Sequence, residues 1–351
     1  MRERSGPSWV RRPQVLAAGA AVLLSAAFLA GCGDSGGDDK PSATSAPSLS
    51  GAVSVDGSST VFPISEAVAE EFRKVQKEVK VTVGVSGTGG GFKRFCAGET
   101  DISDASRPIK SGAASEAETC ASAKIDYIEL PVAYDGLSVV VNPANDWAKC
   151  MTVAELKKLW EPAAEGTITK WNQIRAEWPD QKVNLYGPGT DSGTFDYFTE
   201  AINGKEDASR GDFTASEDDN ILVTGVSGDK YALGYFGLAY LIENQTKIKG
   251  VQVDGGKGCI EPTVKTVEDG TYAPLSRPLF IYVKKTSVEK PQVKAFVDFY
   301  LKNAGTLSAD VGYVKFPASF YAKITAIWTA GTPGSIFSGK TGTVASILGV
   351  Q

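Results

Sequence analysis

Three short segments of this chain consist almost wholly of glycine and hydroxyl residues, and each separates a strand-like run from a helix-like one. They are Gly57-Ser58-Ser59-Thr60, Ser86-Gly87-Thr88-Gly89-Gly90-Gly91 and Gly187-Pro188-Gly189-Thr190-Asp191-Ser192-Gly193-Thr194. Repeated strand–turn–helix junctions confine a chain to an α/β architecture built on open sheets. Such a turn also leaves the first backbone N–H groups of its helix without partners, at the positive end of the helix dipole, and so forms an anion site. Glycine admits a ligand close to the backbone, and Ser and Thr add donors without bulk. Asp191 is the odd member. A carboxylate repels an anion unless the anion has a proton to donate, which favours protonated phosphate over sulfate.

A fourth segment, Ser103-Asp104-Ala105-Ser106-Arg107-Pro108, has the same chemistry plus a full positive charge, since the Arg107 fork suits two oxygens at once. The chain contains no histidine. Ser-His-Asp and Cys-His catalysis, His-ligated metals and His-based pH switching are therefore closed to it. Gly189-Thr190-Asp191-Ser192-Gly193 superficially resembles a serine-protease nucleophile loop, but nothing could activate Ser192 in that way. The Gly87–Gly91 run has neither the Gly-Lys-Ser/Thr of a P-loop nor the spacing of a dinucleotide fingerprint. No cofactor and no metal are expected.

The first 31 residues read as an export signal: Arg2, Arg4, Arg11 and Arg12 precede an apolar run from Val15 to Ala30, followed by Gly31-Cys32. That junction resembles a bacterial lipobox, which implies lipidation of Cys32 and anchoring to the outer face of the cell membrane. Residues 32–51 are rich in Gly, Ser, Asp and Pro and read as a flexible tether. Removing residues 1–31 takes away four Arg and one Glu, leaving 32 basic and 40 acidic residues, a net charge of −8. This balance argues against nucleic acid as a partner, and a bound anion must be held by local dipoles and hydrogen bonds. Beyond Cys32, the cysteines are Cys96, Cys120, Cys150 and Cys259. An even number in an exported chain favours two disulfides over zinc, which would want tighter spacings. Of the three pairings, Cys96–Cys120 with Cys150–Cys259 keeps each bridge within one expected domain.

Periodicity predicts strands at 53–57, 79–85, 125–130, 137–141, 183–186 and 279–283. It predicts helices at 61–75, from the glycine turn through Phe92 and Phe95, and at 153–160, 195–202, 293–301 and 320–328. Residues 171–178 read as a helical connector, the stretch from Tyr240 to about Gly270 as a polar loop region, and the tail beyond Gly331 as irregular.

These motifs, with Asp101-Ile102 leading the Ser-Asp-Ala-Ser-Arg-Pro segment and Tyr235-Phe236-Gly237-Leu238-Ala239-Tyr240 further on, resemble the phosphate-binding lipoproteins of the Pst-type high-affinity phosphate ABC transporter, the PstS family. The likeness spans about residues 53–330. It implies a type II periplasmic-binding-protein fold, two domains joined by two hinge strands around a cleft. Domain I would comprise 52–139 and 279–351, domain II 140–278, with crossings near 137–142 and 276–282. It further implies a monomer that captures inorganic phosphate, catalyses nothing, and delivers its ligand to a membrane permease. The implied ligand set is Ser59, Thr60, Ser86, Thr88, Gly89, Ser106, Arg107, Asp191, Ser192, Gly193 and Thr194. The enterobacterial pattern has an Asp where Ser106 aligns and an Arg where Pro188 stands, so Arg107 and Asp191 are expected to exchange those roles between loops. The rival readings are a site for sulfate, molybdate or tungstate, a secreted phosphatase or hydrolase, and an adhesin.

Overall fold

Val53 and Val55 on the first strand, and Ile64, Val68 and Phe72 at helical spacing on the helix after it, are all buried. One apolar face of each element thus closes over the other. The computed structural model describes residues 49–190, 192–338, 340 and 342–350. The export signal, Cys32, most of the tether, and Asp191 lie outside the described residues. The strands are β1 (Ser50–Gly57), β2 (Glu78–Val85), β3 (Ile102–Ala105), β4 (Tyr127–Val141), β5 (Cys150–Thr152) and β6 (Asn184–Gly187). They continue with β7 (Thr214–Ala215), β8 (Ala232–Gly237), β9 (Lys249–Gly250), β10 (Gln252–Asp254), β11 (Cys259–Ile260) and β12 (Ser276–Lys284). The helices are α1 (Phe62–Val75), α2 (Gly87–Cys96), α3 (Glu116–Ser122), α4 (Val153–Trp160), α5 (Gly193–Phe198) and α6 (Asp219–Gly228). After them come α7 (Leu238–Glu243), α8 (Val264–Glu268), α9 (Pro291–Asp310), α10 (Ala318–Ala330) and α11 (Val344–Leu348).

The main sheet has the order β2-β1-β3-β12-β4-β8-β6-β7, with β9 paired to β4; β11-β10-β5 form a small second sheet. β1 lies parallel between β2 and β3, and β6 is parallel to β8. β12 runs antiparallel between β3 and β4. β4 organises the whole. Its first part, Tyr127–Gly136, pairs with β12, and its second part, Leu137–Val141, pairs with β8. Every residue from Ile128 to Val141 is buried.

The sequence reading splits this strand at Pro131 and Gly136. Pro131 is accommodated where the β4–β12 register shifts between Leu279 and Phe280, so its missing N–H leaves no gap in the ladder. The acidic residues within β4 have partners. Tyr282 donates to Glu129 at 2.6 Å, as does the backbone N–H of Ile336 at 3.0 Å. Gly334 N–H donates to the Tyr127 carbonyl at 2.7 Å, tying the tail beside the same strand.

Other departures follow the same logic of tertiary contact overriding local signal. The glycine run 87–91 is the start of α2 itself, because a Cβ at Gly91 would stand 2.5 Å from Gly57 Cα. Glycine here lets the helix lie against β1. Only Trp171–Gln173 forms a turn of 3₁₀ helix in the expected connector. Trp171 and Trp178 pack edge-to-face there, and Arg175 stacks on Trp178. The stretch 241–270 holds three short strands and α8, and the tail holds α11. Disulfides join Cys96 to Cys120 and Cys150 to Cys259, the pairing preferred from the sequence. Among the described residues no helix is long and apolar enough to cross a membrane.

Asp104 on β3 is fully buried, and neither carboxylate oxygen has a hydrogen-bond partner among the described residues. The nearby Ser65 hydroxyl is engaged with Tyr300 instead, at 3.1 Å. Loss of hydration, reinforced by the charge of Asp56, pushes this carboxyl from its ordinary 3.8 up to about 8. The unfolded chain releases this proton near pH 4 while the folded chain keeps it to about pH 8, so the group's contribution to stability is lost as pH rises across that window. Asp104→Asn should therefore gain stability over the wild type progressively between about pH 4 and 8, with the difference level above. Urea unfolding at stepped pH measures this; a constant difference would show that Asp104 is ionised in the fold.

Candidate functional site

Three of the four glycine–hydroxyl segments meet at one cavity of about 190 Å³. Its wall carries Ser58, Ser59 and Thr60 from the β1–α1 turn, Gly87, Thr88 and Gly89 from the start of α2, and Ser106 and Arg107 after β3. Lys110, and Asp196, Tyr197 and Glu200 from the α5 region, line it as well, as do Glu206 and Arg277.

The local reasons differ from loop to loop. Gly57 adopts φ +149°, and a Cβ there would strike the Asp104 carbonyl. That close approach turns the chain so that Ser58 N–H donates to Asp104 O at 3.0 Å. Ser86 precedes α2 but does not cap it; its hydroxyl bonds Asp56, which also pairs with Arg94. The N–H groups of Gly87, Thr88 and Gly89 are thus left uncapped at the cavity wall. Thr88 and Ser106 join hydroxyls at 2.9 Å, and Ser106 N–H donates to Thr88 Oγ at 3.2 Å, locking the start of α2 to the loop after β3.

The segment ending in Ser192-Gly193-Thr194 reaches the cavity through its helix rather than its turn. Ser192 caps α5 by accepting from Thr194 N–H at 3.2 Å. Thr60 donates to the Gly193 carbonyl at 3.2 Å, and Ser59 donates to Asp196 at 2.6 Å. Ser59, Thr60, Thr88, Gly89, Ser106 and Arg107 line the cavity, and Ser86, Ser192, Gly193 and Thr194 are not in its lining.

Charge at the site is close to balanced. Arg107 makes a bidentate pair with Glu116, at 2.8 and 2.6 Å, beside the Phe92 ring. Burial works against the Glu116 charge, but the bonds from Arg107 and Lys110 N–H hold its carboxyl below the usual range. Arg277 donates to Thr60 Oγ at 2.9 Å and to Asp135 at 3.3 Å, and lies 3.4 Å from the centre of the Tyr197 ring. Burial, helped by Asp207, raises the Asp196 carboxyl, with the Ser59 bond opposing. Burial also raises Glu206, and Asp196 and Glu200 add to the effect. The cavity can therefore hold a small, strongly hydrogen-bonding anion, and its carboxylates favour one that brings a proton.

Residues 41–304 match the PBP superfamily domain. A protein named SphX from Synechococcus elongatus is 53% identical over 289 residues, covering 82% of this chain and 84% of its own length. The phosphate-binding protein PstS of Staphylococcus epidermidis is 38% identical over 308 residues, covering 86% of this chain and 89% of the relative. The chain belongs to the PstS family of the PBP superfamily. A crystal structure of a possible phosphate binding protein from Planctomyces limnophilus is 52% identical, with a TM-score of 0.78 over 81% of this chain and 100% of that one. A phosphate ABC transporter substrate-binding protein from Clostridium perfringens, described as putative and solved with bound phosphate, is 26% identical at a TM-score of 0.51, over 76% of this chain and 100% of its own. The curled α/β sheet of this PstS-family chain is thus that of the type II binding proteins.

Lys110, Asp196, Tyr197, Glu200, Glu206 and Arg277 escaped the sequence reading. Asp196, Tyr197 and Glu200 had a usable signal, since they follow Ser192-Gly193-Thr194 at helical spacing. Arg277 had none, being placed by strand pairing across 142 residues.

Gly193 lets α5 press against the first loop: a Cβ there would lie 2.7 Å from Thr60 N and Cα, whereas one at Gly89 would meet nothing within 4 Å. Gly193→Ala should cost about 1–3 kcal/mol in urea unfolding through overpacking. Gly89→Ala should stay within about 0.5 kcal/mol or stabilise α2. Equal effects would contradict this contact.

Proposed function

We propose that the chain captures inorganic phosphate in this cavity, outside the cytoplasmic membrane, and passes it to the permease of a phosphate ABC transporter. It binds and releases its ligand without chemistry, as a monomer, held to the membrane by a lipid on Cys32. The observation that carries the reading is the uncapped N-terminus of α2 opening, beside the hydroxyls of Ser59, Thr60, Thr88 and Ser106, into a partly enclosed space of about 190 Å³. That volume is below the roughly 300 Å³ at which sites for organic metabolites begin. Three carboxylates on the wall, Asp196, Glu200 and Glu206, disfavour a fully deprotonated tetrahedral anion such as sulfate; phosphate carries a proton near neutral pH.

In this reading Ser59, Thr60, Thr88, Gly89, Ser106 and Arg107 supply donors from one lobe, residues 52–139 with 279–351. Ser192, Gly193 and Thr194 supply them from the other, residues 140–278, as the cleft closes. Ser86 supports the second loop through Asp56. β4 and β12, which run through both lobes, are where bending occurs. Asp191, assigned from sequence alone, joins the acceptors of the phosphate proton.

Titration calorimetry of the purified chain near pH 7 should show saturable heat with phosphate and none with sulfate or molybdate. Saturable heat with sulfate and none with phosphate would replace this reading. Asp191→Asn should narrow the preference for phosphate over sulfate, and an unchanged ratio would remove Asp191 from the proton-accepting role.

A further inference from the structure

The cavity wall carries two arginines, and their surroundings are unequal. Both N–H-bearing ends of the Arg107 fork are taken by Glu116, with Nη1 also 3.3 Å from the Pro108 carbonyl. A bidentate carboxylate fills the same two donor directions that an oxyanion would use. Arg277 is held differently. It is the second residue of β12, directly across the ladder from Asp135 on β4. Its side chain is 13% exposed, and that of Asp135 is 4%. Of the five N–H donors of a guanidinium, Nε points to Asp135 at 3.3 Å and one Nη2 hydrogen goes to Thr60. Nη1 is 3.8 Å from Glu200, an ion-pair distance too long for a hydrogen bond. The plane rests on Tyr197, whose own hydroxyl is fixed to the Pro274 carbonyl at 2.6 Å.

We infer that Arg277, rather than Arg107, is the principal cation that neutralises the anion in this cavity. This rests on the reading of the cavity as a phosphate site and names the group that supplies its charge. Arg277 has unused donors among the described residues, a rigid aromatic seat, and a direct bond to Thr60 on the first loop. It also touches segments from both sides of the cavity, Thr60 ahead of α1 and Tyr197 on α5. A bound anion that draws the guanidinium toward itself therefore tightens the contact between them. Asp135 orients the side chain without filling its fork.

Calorimetry with inorganic phosphate on wild type, Arg277→Gln, Arg277→Lys and Arg107→Gln tests the assignment. Arg277→Gln should weaken phosphate binding about tenfold or more, as expected for bonds to a charged group. Arg277→Lys should fall in between, since it keeps the charge but loses the fork and the stacking. Arg107→Gln should lose less than Arg277→Gln. Ligand-free melting temperatures identify damage to the fold, and Arg277→Lys keeps the test open if the Gln variant does not fold. Salt provides a readout that a scaffolding role would not move: phosphate affinity should fall with added potassium chloride in the wild type and less steeply in Arg277→Gln. Wild-type affinity in a folded Arg277→Gln, or a larger loss in Arg107→Gln, would overturn the inference. If the wild type binds sulfate in place of phosphate and Arg277→Gln abolishes that binding, the ligand is wrong and the cation stands.

Discussion

The antiparallel register of β4 against β12 sets Asp135 opposite Arg277, and the rest of the site is arranged around that pair. A shift of β12 by one residue would turn Arg277 to the other face of the sheet and leave the buried Asp135 carboxylate without its counter-charge. The register is secured by continuous burial from Ile128 to Val141, and by the Tyr282–Glu129 contact further along the same two strands. On either side, the ladder carries the first three strands in one direction and β8 and β6 in the other. The loops at their ends therefore converge on the point where Arg277 emerges.

With formal charges near balance, recognition at the cavity depends on direction more than on attraction at a distance. The N–H groups of α2 and the hydroxyls of Ser59, Thr60, Thr88 and Ser106 are fixed before any ligand arrives, which reduces the entropy lost on binding. Their fixation is indirect. Asp56 engages the Ser86 hydroxyl and so leaves the helix start open, and Thr88 and Ser106 hold one another. Asp196 accepts from Ser59 and so orients that hydroxyl from the opposite side of the cavity.

The parts of this arrangement that were legible in the sequence are those encoded locally. Glycine and hydroxyl turns between strand and helix announce themselves, and the α4 helix from Val153 to Trp160 matches its periodicity residue for residue. What could not be read depends on pairings distant in sequence. β4 looked like two strands because Pro131 and Gly136 are breakers in isolation, and only the partner strand shows how they are absorbed. Arg277 sits between Ser276 and Pro278 with no motif around it. Arg107 was visible as a cation, but Glu116, which occupies its fork, lies on a helix with no sequence cue to that contact. Asp196 is the intermediate case, one turn beyond the Ser192-Gly193-Thr194 motif, where a lone carboxylate on a short helix carries no signal of the Ser59 contact it makes across the cavity.

The tail around Gly334 to Ile336 does more than cover the sheet. By donating its backbone N–H to Glu129, Ile336 supplies one of the bonds that let a carboxylate sit within the most buried strand of the molecule. A chain cut before Gly334 would leave that oxygen facing an apolar interior. The integrity of a strand formed early in the sequence thus depends on residues synthesised some two hundred positions later, and the sheet cannot reach its final polarity balance until the chain has emerged past Ile336.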